Sequence, residues 1–178
     1  YFYLSELYLI DVSDLKLVRL TNNNAPEESI LWAPDGKTFV FHAPTDKDYD
    51  LTHGYLWIMN PETGEKRKLE NPNQGNISSL AWTSDGKSLL FNETRRTNLN
   101  LHRLDIVTGK VTDITEIKGT LRTLAFSKDR TKMVYSYSNF NTPPDLYVSP
   151  LNKINPIRLT NTNPWIKRKI LLAESDVI

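Results

Sequence analysis

Three histidines, an arginine doublet and an alternating run of aspartates are the side chains whose types could do chemistry. His42, His53 and His102 are the only histidines, and they fall too far apart to form the short-spaced ligand pair of a metal motif. Asp46, Asp48 and Asp50 alternate like the start of a calcium loop. The glycine and distal glutamate such a loop needs at fixed offsets are absent, so a solvated acidic loop is expected. The chain has no cysteine, which removes thiolate ligands and disulfides together. It has no G-x-S-x-G nucleophile elbow either. These residues imply no catalytic group, no metal set and no cofactor site. Arg95-Arg96 is the pair that suits recognition, because two guanidinium groups can hold a carboxylate through paired hydrogen bonds. It is the candidate contact to a substrate carboxylate. The alternative is a solvated loop end, the usual setting of arginine. Lys66-Arg67-Lys68 and Lys167-Arg168-Lys169 read as protection of a sheet edge rather than as nucleic-acid contacts. Asn76-Ile77-Ser78 and Asn92-Glu93-Thr94 fit the glycosylation triplet, the second at an expected strand end. Neither assigns a compartment, and periplasmic, secreted and cytoplasmic locations are all compatible.

Composition narrows the partners. With 22 basic and 21 acidic residues in 178, the net charge is +1, so bulk charge gives no hold on nucleic acid. No apolar run approaches the length of a membrane span. Tyr1-Phe2-Tyr3-Leu4 has no basic region and no cleavage site of a signal peptide. It begins inside an alternating strand pattern, and a fragment of a longer protein is expected.

The elements that must position these residues come from a repeat. Trp32-Ala33-Pro34-Asp35-Gly36-Lys37 returns as Trp82-Thr83-Ser84-Asp85-Gly86-Lys87 and, worn down, as Phe126-Ser127-Lys128-Asp129-Arg130-Thr131-Lys132. Each copy is an aromatic ring followed by an aspartate-led turn between two apolar runs, the strongest short hairpin signal. The copies start at 32, 82 and 126, a period that means blades of a β-propeller. The fold class is all-β: an incomplete propeller of about three and a half four-stranded antiparallel blades. Residues 1–22 end a partial blade, 23–71, 72–115 and 116–160 are blades, and 161–178 form a connector. The inner strands are expected to be more apolar than the outer ones, and polar residues such as Thr21 and Thr115 on the outer strands to be a solvated rim. Pro143-Pro144 is expected just before the third strand of its blade. Arg130, standing where Gly36 and Gly86 stand, is expected to force a different turn type. Trp32, Trp57, Trp82 and Phe126 are expected to pack between sheets rather than to form an aromatic ligand cage. Such a set of blades cannot close a ring, so its open faces would bind a second copy or the rest of the parent protein.

The turn W-[AST]-[PS]-D-G-K, with an apolar strand after it, resembles the propeller repeat of the Tol-system protein and of the prolyl oligopeptidase family of serine peptidases. Ser136-Tyr137-Ser138 with Pro143-Pro144-Asp145-Leu146-Tyr147-Val148 resembles the last blade of acylaminoacyl-peptidase-like and dipeptidyl-peptidase-like members. Leu159-Thr160-Asn161-Thr162-Asn163-Pro164 followed by Ala173-Glu174-Ser175-Asp176-Val177-Ile178 resembles their passage from propeller to hydrolase. The resemblance implies a non-catalytic propeller that gates and positions peptides for an α/β-hydrolase domain missing from this chain. That domain and the peptide would be its partners. The alternative it implies is a Tol-like scaffold that binds protein.

Overall fold

A computed structural model of the chain describes residues 5–22, 26–44, 54–69 and 75–166. The aspartates at 46, 48 and 50, His53, Tyr1-Phe2-Tyr3-Leu4, Lys167-Arg168-Lys169 and the segment 173–178 lie outside the described residues. The chain divides into two compact units. One is Tyr1–Asn76 with Ile106–Lys110, the other Ile77–Asp105 with Val111–Ile178.

Fourteen strands are found among the described residues. In the first unit, β1 (Tyr8–Ile10) and β2 (Leu17–Arg19) form an antiparallel ribbon. The strands β3 (Glu28–Trp32), β4 (Phe39–Ala43), β5 (Tyr55–Met59) and β6 (Lys66–Lys68) form a four-stranded meander in chain order. In the second unit, β7 (Ile77–Trp82), β8 (Ser88–Arg95), β9 (Asn98–Asp105) and β10 (Val111–Asp113) repeat that meander. So do β11 (Thr120–Phe126), β12 (Lys132–Asn139), β13 (Thr142–Pro150) and β14 (Ile157–Arg158). One parallel bridge, Thr120 to Leu99, joins β11 to β9. Repeated antiparallel four-stranded meanders are the blades of a β-propeller, here an incomplete one.

The aspartate-led turns are built alike. The Gly36 N–H donates to Ala33 O, that of Gly86 to Thr83 O and that of Arg130 to Ser127 O, at 2.9–3.0 Å. Asp35, Asp85 and Asp129 each accept from the backbone N–H two residues on. The last residue of each turn has positive φ: 68° at Gly36, 66° at Gly86 and 57° at Arg130. The arginine therefore does not change the turn type, contrary to the sequence expectation. It adopts the left-handed conformation, and its guanidinium lies over the Phe126 ring, 5.7 Å from the centroid. The turn between third and fourth strands repeats the device, with Leu15 (φ 61°) where Gly64 (75°) and Gly109 (70°) stand.

Burial is concentrated in the second and third strands, not in the inner ones. β4 and most of β8 and β9 are buried, whereas β3 is largely exposed. A middle strand has a neighbour on both sides, and its faces meet packed side chains. The first unit centres on Leu7, Phe39, Phe41, Ala43 and Met59, the second on Leu90, Leu101, Leu121, Met133 and Tyr135. Trp57 stacks on Phe41 and Trp82 is buried, but Trp32 stays 45% exposed. Pro143 and Pro144 lie inside β13, not before it. They fall where the β12–β13 register slips, between the Asn139–Thr142 and Tyr137–Asp145 pairs. At such a bulge a missing N–H costs no ladder bond.

Candidate functional site

The surroundings of Arg95 follow from a lock that recurs between third and fourth strands. In the last blade Asp145, just before Leu146, accepts from Arg158 and from Thr160 Oγ1 (2.9 Å), and Thr160 Oγ1 in turn accepts from Leu146 N (2.9 Å). In the blade of β7–β10, Asn100 Oδ1 accepts from Thr115 Oγ1 (3.0 Å), which accepts from Leu101 N (2.9 Å). In the ribbon Thr21 Oγ1 accepts from Leu7 N (2.8 Å), Glu27 receives the threonine proton, and Arg19 pairs with Glu6 at 2.9 Å. In the blade of β3–β6 the same two positions carry Tyr55 and Lys68, whose ammonium sits 4.2 Å from the ring centroid. A third-strand residue and a fourth-strand residue are thus clamped in every repeat, by ion pair, cation–π contact or amide. Thr21 and Thr115 are buried, so the outer-strand threonines are not a solvated rim. Their hydroxyls satisfy backbone groups that would otherwise be orphaned.

In the blade of β7–β10 the cation of the clamp comes from elsewhere. The position of Arg19 and Arg158 is Asp113, opposite His102 in the β9–β10 register. Arg95, at the end of β8, supplies the positive charge. Its Nε donates to Glu93 Oε2 (3.2 Å) and its Nη1 reaches Asp113 Oδ1 at 3.1 Å. His102 Nδ1 lies 2.8 Å from Asp113 Oδ1 and 3.2 Å from Arg95 Nη2. An ionised carboxylate only accepts, so Nδ1–H donates to Asp113, and the Arg95 contact to the same nitrogen is not a hydrogen bond. Nε2 is then buried and finds no partner among the described residues. Burial pushes the His102 pKa below its usual 6.5, against the upward pull of Asp113. Burial raises that of Asp113, but the His102 hydrogen bond and the Arg95 charge outweigh it and the net shift is downward. The cluster is a closed polar network of two carboxylates, a guanidinium and a neutral imidazole, with Glu93 and His102 fully buried.

The two arginines therefore part company. Arg95 belongs to the network. Arg96 is the first of the two turn residues joining β8 to β9, with φ 56°, and is exposed. Asn92 is not at a strand end: it is buried within β8, its amide donates to Leu121 O (2.9 Å) and Thr123 N donates back to it (3.0 Å). It stitches two blades together and offers no site for a glycan. The basic run on β6 is used in structure. Arg67 donates to Ile106 O at 2.6 Å, and Lys66 and Lys68 cover Trp57 and Tyr55. His42 contacts Glu28 at 3.3 Å on the opposite strand. No group of three His, Asp or Glu side chains among the described residues is placed to hold a metal. The clamp was readable in sequence as Asn100-Leu101 with Ile114-Thr115 and Asp145-Leu146 with Leu159-Thr160. Its signal is two dipeptides over ten residues apart, which a search for contiguous motifs passes over.

No family model matches the chain. Among curated proteins it is 26% identical over 122 residues to dipeptidyl-peptidase 5 of Porphyromonas gingivalis, a match covering 68% of this chain and 18% of that protein. It is 28% identical over 87 residues to the Tol-Pal system protein TolB of Francisella tularensis, covering 48% and 19%. The matches thus span about a fifth of the length of these relatives. Among solved structures, dipeptidyl peptidase 4 of Porphyromonas gingivalis superposes with a TM-score of 0.71 at 14% identity, over 92% of this chain and 23% of that one. The chain is a length of β-propeller of the kind shared by TolB and by the propeller domains of prolyl oligopeptidase-type peptidases.

Proposed function

We propose that this chain is the non-catalytic propeller portion of a serine peptidase of the prolyl oligopeptidase type, which gates and positions peptides for an α/β-hydrolase domain of the same protein. The observation that carries this reading is the 122-residue match to a dipeptidyl-peptidase, longer than the 87 residues aligned with TolB. Arg96, exposed on the β8–β9 turn, is the side chain free to meet a peptide carboxylate; Arg95 would act only by shaping the hairpin beneath it. The chain alone should not turn over chromogenic dipeptides, since covalent catalysis needs a nucleophile with a base in hydrogen-bond reach. The full-length protein should label with a fluorophosphonate and cleave short peptides in preference to folded proteins. No labelling of the full-length protein, or inhibitor-sensitive turnover by the chain alone, would overturn the reading. The TolB match supports a second reading, a scaffold propeller of a Tol-Pal system. It predicts no labelling and a stable complex with another component of that system in a pull-down.

A further inference from the structure

A cavity of about 360 Å³ opens in the second unit, between the β8–β10 part of one blade and the turns flanking β12 and β13 in the next. That volume lies within the range of small-molecule sites, roughly 300–1,000 Å³. Leu90, Ile114 and Leu151 give it an apolar wall, and they belong to the core of this unit. Three cations also line it and, among the described residues, no carboxylate does: Arg103 on β9, Arg130 in the β11–β12 turn and Lys132 at the start of β12. They are held from three separate places. Arg103 Nε donates to Ser88 Oγ at 3.0 Å. Arg130 lies over the Phe126 ring in its left-handed turn. The backbone of Lys132 is fixed by the β12 ladder, and the Leu151 N–H donates to Thr131 O at 2.9 Å, tying the β13–β14 loop to the same rim. The carboxylates of the two flanking turns are already committed. Asp85 accepts from Thr83 and the Lys87 N–H, and Asp129 from Ser127 and Thr131. An apolar wall with an all-cationic rim is complementary to an apolar body that ends in a carboxylate, because guanidinium and ammonium groups pair most strongly with such an anion. Asn152, also in the lining, adds an amide able to pair with a peptide bond.

We infer that this inter-blade cavity binds the C-terminal residue of a peptide, with an apolar side chain against Leu90, Ile114 and Leu151 and its carboxylate at Arg103, Arg130 and Lys132. The site does not depend on the peptidase reading, since it stands equally on a scaffold propeller. The test is titration of the full chain with N-acetyl-leucine, N-acetyl-leucinamide and octanoate, followed by calorimetry and by amide shifts of Thr83, Leu151 and Asn152. N-acetyl-leucine should bind saturably, with those shifts, and at least about tenfold more tightly than the amide, as loss of a charge-assisted pair implies. Arg103→Gln and Lys132→Gln should each weaken it while leaving the amide's binding unchanged, and Leu151→Trp should fill the cavity and abolish both. Equal affinity for acid and amide, or shifts elsewhere, would overturn the site. Tighter binding of octanoate would overturn its assignment to a peptide terminus. If a variant unfolds, the acid-versus-amide ratio on the unaltered chain still decides.

Discussion

Arg130 carries the conformation that Gly36 and Gly86 carry in the sister turns, with the same backbone hydrogen bond and the same aspartate. A left-handed non-glycine residue costs about 1–2 kcal/mol. Two things offset that cost: glycine's extra unfolded-state entropy, about 0.5–1 kcal/mol, and the Phe126 contact, about 0.5–1 kcal/mol at an exposed site. Gly86→Ala should therefore lower unfolding stability by about 1 kcal/mol, whereas Arg130→Gly should leave the urea midpoint unchanged. A large loss from Arg130→Gly would mean that its side chain, not the turn, holds the hairpin. Asp145 gives a second test at this scale. The Thr162 N–H, with Arg158, Thr160 and the Thr162 hydroxyl, holds its carboxyl at about 2, below 3.8. A depressed folded-state pKa stabilises the fold above the unfolded value, and that stability is lost as pH falls through the folded one. The urea midpoint should thus fall between pH 4 and pH 2, and Asp145→Asn should flatten the fall. An identical pH profile in the variant would remove Asp145 from the clamp.

Between strands, the clamp joins third to fourth in each repeat with different chemistry: Glu6 with Arg19, Tyr55 with Lys68, Asp145 with Arg158. In the blade of β7–β10 the charges are exchanged. Asn100 keeps the threonine, Asp113 takes the arginine position and Arg95 reaches over from β8. Arg95→Ala removes the cation that faces the buried carboxylate of Glu93, and a hydrogen bond to a charged group contributes about 1.5–3 kcal/mol. The variant should lose stability in that range, while Arg96→Ala on the exposed turn should lose less than about 0.5 kcal/mol. Thermal unfolding of both separates the two arginines. Equal losses would mean that Arg96 also has a structural task.

For the whole molecule the ends matter. Ile10 holds the place that Met59 holds in the next repeat, yet Ile10 is 52% exposed and Met59 2%. β1 pairs only with β2 among the described residues. Tyr8, Leu17 and Val18 on the ribbon, and Ile157 and Leu159 at the last outer strand, are exposed as well. Apolar faces and open strand edges are association sites, and a two-fold pair is the simplest closed arrangement. The chain should self-associate at micromolar concentration, as light scattering would show. A stable monomer that unfolds cooperatively would show that the faces are covered within the chain.

The fold was legible because its signals are local. An Asp-Gly pair between apolar runs needs only neighbouring residues to form a hairpin, and three copies at blade spacing fix the architecture. Glycine was the visible half of that signal. That Arg130 could take its place depends on the hydrogen bonds of the turn and on a ring four residues earlier, which no single-position preference records. The burial of Thr21, Thr115 and Asn92 was hidden for a different reason. A polar residue reads as exposed until the chain, from over ten residues away, brings the group that satisfies it. The same holds for Arg95 and Arg96, adjacent and identical in sequence. Pairing of β8 with β9 ties the first into a buried network and leaves the second at the tip of the turn. Likewise Arg103 lies in one blade and Arg130 and Lys132 lie together in the β11–β12 turn region of the next, and only the packing of one blade against the other puts all three around one cavity.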